Sequence, residues 1–148
     1  MTNSELPFST THMVRDSCLC LHVQRAARVL ARRFDEALRP HGLTNGQFSL
    51  LMSLNRPEPP PMGPVAGLLA MDRTTLTAAL KPLERRGLVR VIADPNDRRS
   101  RILKLTSAGR KLLAEALPAW RQTHDEIERD LPPGGDAEML RRSLGALS

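Results

Sequence analysis

The stretch from Met71 to Thr106, MDRTTLTAALKPLERRGLVRVIADPNDRRSRILKLT, leaves the chain little freedom in what it can build. It opens as a helix. Asp72 is a good N-cap ahead of Arg73, Thr74 and Thr75, and Leu76, Leu80 and Leu83 recur at i, i+4 and i+7 to form one apolar face. Arg73, Thr74, Thr77 and Lys81 fall outside that face. Gly87 stops the helix after Arg85 and Arg86, and an apolar run from Leu88 to Ala93 leads into the turn signal Asp94-Pro95-Asn96. With Asp97-Arg98-Arg99-Ser100-Arg101 as the tip and Ile102 to Leu105 as the return, the stretch predicts a short helix followed by a β-hairpin with an arginine-loaded tip.

Charge concentrates in the same place. From Asp72 to Lys111 there are 11 Lys and Arg against 4 acids, a net of +7, while the whole chain is +6. The remainder is therefore close to neutral. A helix that begins with short polar side chains suits the major groove of double-stranded DNA, where base edges present a readable donor and acceptor code; an arginine hairpin suits the narrow, electronegative minor groove. Thr74, Thr75 and Thr77 offer hydroxyls and methyls, and Arg73 and Lys81 are the long donors. Which of them reads a base is not decided by sequence. Asp97 and Arg99, two apart, point to one side of the hairpin, and Arg98 and Arg101 are placed to meet phosphates.

The run MDRTTLTAALKPLERRGLV followed by DPNDRRSRILKLTSAGR resembles the recognition helix and wing of the MarR family of bacterial winged helix-turn-helix regulators. The wing pattern, Asp-Pro-x-Asp-Arg-Arg ending in Leu-Thr-x-x-Gly, carries the resemblance, which extends more loosely over Cys18 to Ala119. It implies a mainly α fold with a small β-hairpin wing and N- and C-terminal dimerisation helices. It also implies that Arg99 enters the minor groove with Asp97 orienting it. The expectation is one domain over 1–148, with a winged core at about 43–106 and dimerisation helices at about 14–40 and 107–148. Two points depart from the family pattern: the first helix of the helix-turn-helix, Val65 to Ala70, carries no charge, and the glycine common in the following turn is Ala70.

Composition agrees with that class. Three Phe, one Trp and no Tyr leave the core to Leu, Ala, Val and Met, which fits packed helices better than a sandwich or barrel. No apolar run approaches the roughly 20 residues of a membrane span, and the N-terminus lacks the basic head and apolar core of a signal peptide, so a cytoplasmic protein is expected. Cys18 and Cys20 are too few for a disulfide scaffold and are expected as free thiols.

Along the chain, residues 1 to about 13 read as a polar arm, and Val14 to Leu38 as one long helix with Arg25, Arg28, Arg32 and Arg33 opposite its apolar stripe, either as a solvated face or as a distant phosphate contact. Thr44 and Gln47 form a capping-box pattern before Phe48, Leu50, Leu51 and Leu54. Arg56 to Pro64 holds five of twelve prolines and reads as a stiff connector. Pro82 predicts a kink in the recognition helix. Thr106 caps a long region interrupted by Pro118, and a final helix is expected from about Asp136 to Leu147. The resemblance implies that the terminal helices cover a second protomer; packing back on the same chain is the alternative.

For a signal, the residues offer two sources. Cys20 stands eight residues before Arg28, similar to the reactive cysteine of the organic-hydroperoxide-sensing branch of the family, although the tyrosines that tune that thiolate are missing here. His22 and Arg15 are the groups that would lower a thiol pKa; a buried cysteine acting as a small hydrophobe is the plainer reading. Alternatively, His22, Trp120 and His124 line a pocket for a small-molecule effector, against ordinary core or surface roles. Four His and two Cys show no metal-ligand spacing, and neither a phosphate loop nor a nucleophile elbow is present, so no metal, cofactor or catalytic residue is expected. A thiol-dependent enzyme using Cys18 or Cys20 with His22 is the remaining catalytic alternative, and a basic adaptor for protein or RNA lacks the aromatic residues that stack on single strands. The sequence thus points to a homodimeric DNA-binding regulator, a repressor acting on a short inverted repeat and released by a small molecule or oxidant.

Overall fold

The computed structural model describes residues 5–148 of the chain. Among them, seven α-helices and a two-stranded antiparallel hairpin follow in the order α1 (Phe8–Ser17), α2 (Leu19–Leu38), a 3-10 turn (Arg39–His41), α3 (Asn45–Ser53), α4 (Met62–Leu68), α5 (Arg73–Arg85), β1 (Val89–Asp94), β2 (Asp97–Leu105), α6 (Ser107–Arg129) and α7 (Ala137–Ala146). The chain divides into two compact units, one ending at Arg33 and one running from Phe34 to Ser148.

In the first unit, the single helix expected from Val14 to Leu38 is two. At Cys18 the backbone is extended (φ −73°, ψ 108°), and its amide still donates to Val14 O at 2.9 Å. The Cys18 sulfur accepts from the Leu21 amide at 3.4 Å, three residues on, which is the geometry of an N-cap. Cys18 therefore closes α1 and opens α2. Cysteine is not among the residues read as caps, so the break left no mark in the sequence. The polar arm is also corrected: residues 1–4 lie outside the described residues, but Phe8 to Met13 are helical. Pro7 fixes the entry at φ −66°, and the rings of Phe8 and His12, one turn apart, meet edge-on at 4.2 Å.

The second unit holds the buried core, built on Leu38, Leu51, Leu54, Val65, Leu76, Leu83, Val89 and Leu103, with Leu113 and Ala116 added by α6. Thr44 forms the expected capping box with Gln47, each backbone amide donating to the other side chain at 3.1 Å. Helix α4 starts at Met62, earlier than expected. Pro64 lies in its first turn, where the missing amide breaks no helical bond. The prolines before it run along the hairpin: Leu103 N donates to Pro60 O at 2.9 Å, and Pro61 bridges to Ile102. This is an edge position, where proline costs no ladder bond. Helices α5 and α6 run unbroken through Pro82 and Pro118.

Candidate nucleic-acid interface

Helix α5 is held from behind by Leu76, Leu80 and Leu83, all buried, and capped in front by Asp72, whose Oδ1 accepts from the Thr75 amide at 2.7 Å. That bond holds the Asp72 carboxyl below its ordinary value, because the amide dipole favours the charged form. Arg73, Thr74, Thr75, Thr77 and Lys81 are all exposed. Among the described residues, the Arg73 guanidinium and the Lys81 ammonium make no ion pair or hydrogen bond, and the hydroxyls of Thr74 and Thr75 are likewise free; Thr77 instead donates to Arg73 O at 2.8 Å.

The turn between α4 and α5 carries a strained residue. Ala70 has φ 52°, the one non-glycine in the left-handed region among the described residues. Glycine reaches this conformation freely, and a Cβ raises its energy by roughly 1–2 kcal/mol. The departure visible in the sequence thus has a physical consequence.

The wing differs from expectation in where its turn lies. Asp94 pairs with Asp97 across Pro95 and Asn96, while Ala93 pairs with Arg101. Arg98, Arg99 and Ser100 are therefore an unpaired bulge inside β2 rather than the hairpin tip. Asp97 does act on Arg99, by another route than orienting its side chain: Asp97 Oδ1 accepts from the Arg99 backbone amide at 3.0 Å. The carboxylate fixes the bulge, and the guanidinium stays unengaged among the described residues. Arg98 is equally unengaged, and Arg101 reaches only Ser100 O, at 3.4 Å.

The base of the wing is clamped. Thr106 Oγ1 accepts from the Gly109 amide at 3.0 Å and donates to Gly87 O at 2.6 Å, joining the start of α6 to the end of α5. Gly109 is required here, because a Cβ would fall on the Leu88 carbonyl and within 2.7 Å of Leu105 Cδ1. The Leu-Thr-x-x-Gly pattern is thus a cap plus a close approach of helix to strand.

Two further constraints escaped the sequence reading. Asp35 Oδ1 accepts from the Asn45 amide at 2.7 Å and from its side-chain amide at 2.8 Å, which lowers the Asp35 pKa. Arg86 donates to Gly42 O at 2.8 Å. Both join residues remote in sequence, and neither follows a local pattern.

The signal candidates fall in both units. Trp120 stacks on Phe34, Phe48 and His124, with ring centroids 6.2, 6.0 and 4.9 Å away. His124 Nδ1 lies 3.7 Å from Glu128 Oε1, which accepts from Arg141 at 2.8 Å and ties α7 to α6. That bond lowers the Glu128 pKa. His22 belongs to the first unit, where its Nδ1 donates to Cys18 O at 2.7 Å. Arg15 pairs with Asp16 at 2.7 Å. Neither group is engaged with a thiol. Cys18 is half-buried and Cys20 exposed, and both are free thiols, with Gln24 Nε2 3.4 Å from the Cys20 sulfur. No cluster of His, Cys, Asp and Glu fit to hold a metal, and no helix long and apolar enough to cross a membrane, occurs among the described residues.

A helix-turn-helix followed by a hairpin wing, with terminal helices on either side, defines a winged helix-turn-helix regulator. Comparison with known proteins makes the class specific: the model of the MarR family matches residues 43–100, and the chain belongs to that family. The regulator MosR of Mycobacterium tuberculosis, solved in complex with DNA, is 40% identical with a TM-score of 0.80, covering 88% of this chain and 93% of its own. The transcriptional repressor CouR, bound to a 23-mer DNA duplex, is 30% identical with a TM-score of 0.78, covering 97% of this chain and 99% of its own. BadR of Rhodopseudomonas palustris, a transcriptional activatory protein, is 34% identical over 118 residues, 76% of this chain. The matches span 66% of BadR and 50% of the regulator TtmR of Methylorubrum extorquens. These relatives are transcriptional regulators.

Proposed function

We propose that this protein is a DNA-binding transcriptional repressor acting as a homodimer on a short inverted repeat. The observation that carries the reading is the set of donors unengaged among the described residues on one helix and one wing: Arg73, Thr74, Thr75 and Lys81 on α5, and Arg98 and Arg99 in the bulge of β2. Groups of this kind have no intramolecular bond to give up and have only water to shed when they meet phosphates and base edges. The DNA complexes of MosR and CouR support the same use of the fold, and CouR supports repression. Dimerisation is supported by apolar side chains that the chain leaves uncovered, Phe8 and Val14 on α1, Leu19 and Val23 on α2, and Met139, Leu140 and Leu144 on α7. A protein of this kind works in the cytoplasm.

Of the two signals, the small molecule has the better support. Arg15 and His22 contact Asp16 and the Cys18 carbonyl rather than a thiol among the described residues, whereas Trp120 and His124 form a partly exposed ring pair. Fluorescence anisotropy on a duplex from upstream of the protein's own gene, across a salt series and before and after mild peroxide, tests both parts. Sequence-preferring binding whose logarithm falls linearly with log salt is expected. Equal affinity for an unrelated duplex would sink the operator assignment, and no salt-dependent binding to either duplex would sink DNA binding itself. Peroxide release that disappears in Cys20→Ser would reverse the choice of signal.

A further inference from the structure

Helix α5 turns outward a face whose centre has little to donate. Thr74, Thr77, Ala78 and Lys81 stand at i, i+3, i+4 and i+7, all exposed and opposite the buried Leu76, Leu80 and Leu83. The two ends of this face, Thr74 and Lys81, have free donors. The two middle residues do not. The Thr77 hydroxyl donates to Arg73 O at 2.8 Å, one turn back within the helix. Its proton is engaged there, and the bond holds χ1, so the methyl is carried in one orientation. Ala78, adjoining it, offers only a methyl group.

In the major groove, guanine presents two acceptors, cytosine a donor, adenine an acceptor and a donor, and thymine an acceptor beside its C5-methyl. A pair of methyl groups without a free proton complements the thymine methyl through dispersion and the exclusion of water. Set against the N7 and O6 of guanine, the same pair would desolvate acceptors without satisfying them. Resting on the DNA-binding reading above, we infer that Thr77, with Ala78 beside it, is a specificity-determining residue that reads the C5-methyl of a thymine in each half-site. The hydrogen bond to Arg73 aims the methyl.

The test selects preferred duplexes from a random pool with the full-length protein, then replaces each thymine in turn by deoxyuridine, which lacks only the methyl. At one position per half-site the replacement is expected to weaken wild-type binding about fourfold, as for one buried methyl group. Thr77→Ser keeps the hydroxyl and removes the methyl, so it binds the thymine and deoxyuridine duplexes equally. Thr77→Val keeps the methyl and removes the oxygen, so it retains the wild-type preference. A Thr77→Ser protein with the wild-type loss, a Thr77→Val protein indifferent to the replacement, or no sensitive thymine would each overturn the inference while DNA binding stands. If selection yields no duplex bound better than a scrambled one, the DNA-binding reading fails, and this inference with it.

Discussion

The guanidinium of Arg86 donates to the carbonyl of Gly42 at 2.8 Å, across 44 positions of sequence. Arg86 is the C-cap of the recognition helix, and Gly42 closes the 3-10 turn after α2 in the left-handed conformation, φ 68°. The bond therefore fastens the end of α5 to the start of the polypeptide that leads into α3. Because the donor is charged and the pair is exposed, Arg86→Ala is expected to cost about 1 kcal/mol. For a domain of this length that is a fall in Tm of roughly 2–4 °C. An unchanged melting curve would show that water serves Gly42 equally well.

Ala70→Gly should act in the opposite direction. At φ 52° the Cβ of Ala70 is strained, and glycine removes that strain without touching a packed side chain, since the residue is exposed. Thermal unfolding should show a gain of about 1 kcal/mol, the left-handed penalty less the added freedom of the unfolded chain. A loss of stability on this substitution would mean that the turn is held by something other than its backbone.

What was legible in the sequence follows from how far each interaction reaches. The caps at Thr44, Asp72 and Thr106 each bond an amide three residues on, and the Leu76, Leu80, Leu83 stripe repeats within one helix, so residue order alone displays them. Arg86 with Gly42, and Asp35 with Asn45, have no such period. The placement of Arg98 and Arg99 failed for a subtler reason. Their position depends on Asp97 pairing with Asp94 while Arg101 pairs with Ala93, a register that composition does not reveal. At Cys18 the helix break depends on a sulfur serving as cap, a role that sequence patterns assign to oxygen.

The cap at Asp72 makes the recognition helix sensitive to acid. Its folded pKa is depressed by the Thr75 amide relative to the ordinary 3.8. The sign follows directly: the unfolded chain takes up the proton first, so the stabilisation is full above 3.8 and is lost as the pH falls through the lower folded value. Asp72→Asn keeps an acceptor but cannot titrate. The stability gap between wild type and Asp72→Asn, measured by denaturant unfolding, should therefore shrink as the pH is lowered below 4 or so, the region set by the ordinary aspartate pKa. A gap that stays constant over that range would remove the charge on Asp72 from the account of the cap.

The wing gives a prediction that separates two roles for one residue pair. Among the described residues, Arg99 has an unengaged guanidinium, while Asp97 accepts from the Arg99 amide. Arg99→Ala should weaken binding to the operator several-fold or more, and its plot of log affinity against log salt should flatten by about 0.9 if the guanidinium neutralises one phosphate. Asp97→Ala leaves the guanidinium able to reach the same phosphate, so its salt slope should remain that of wild type, yet affinity should fall because the loosened bulge must be ordered on binding. Anisotropy titrations at several salt concentrations read both quantities from the same data. Wild-type affinity in Arg99→Ala would remove the wing from the interface, and a flattened slope in Asp97→Ala would show that the carboxylate governs the guanidinium itself rather than the backbone beneath it.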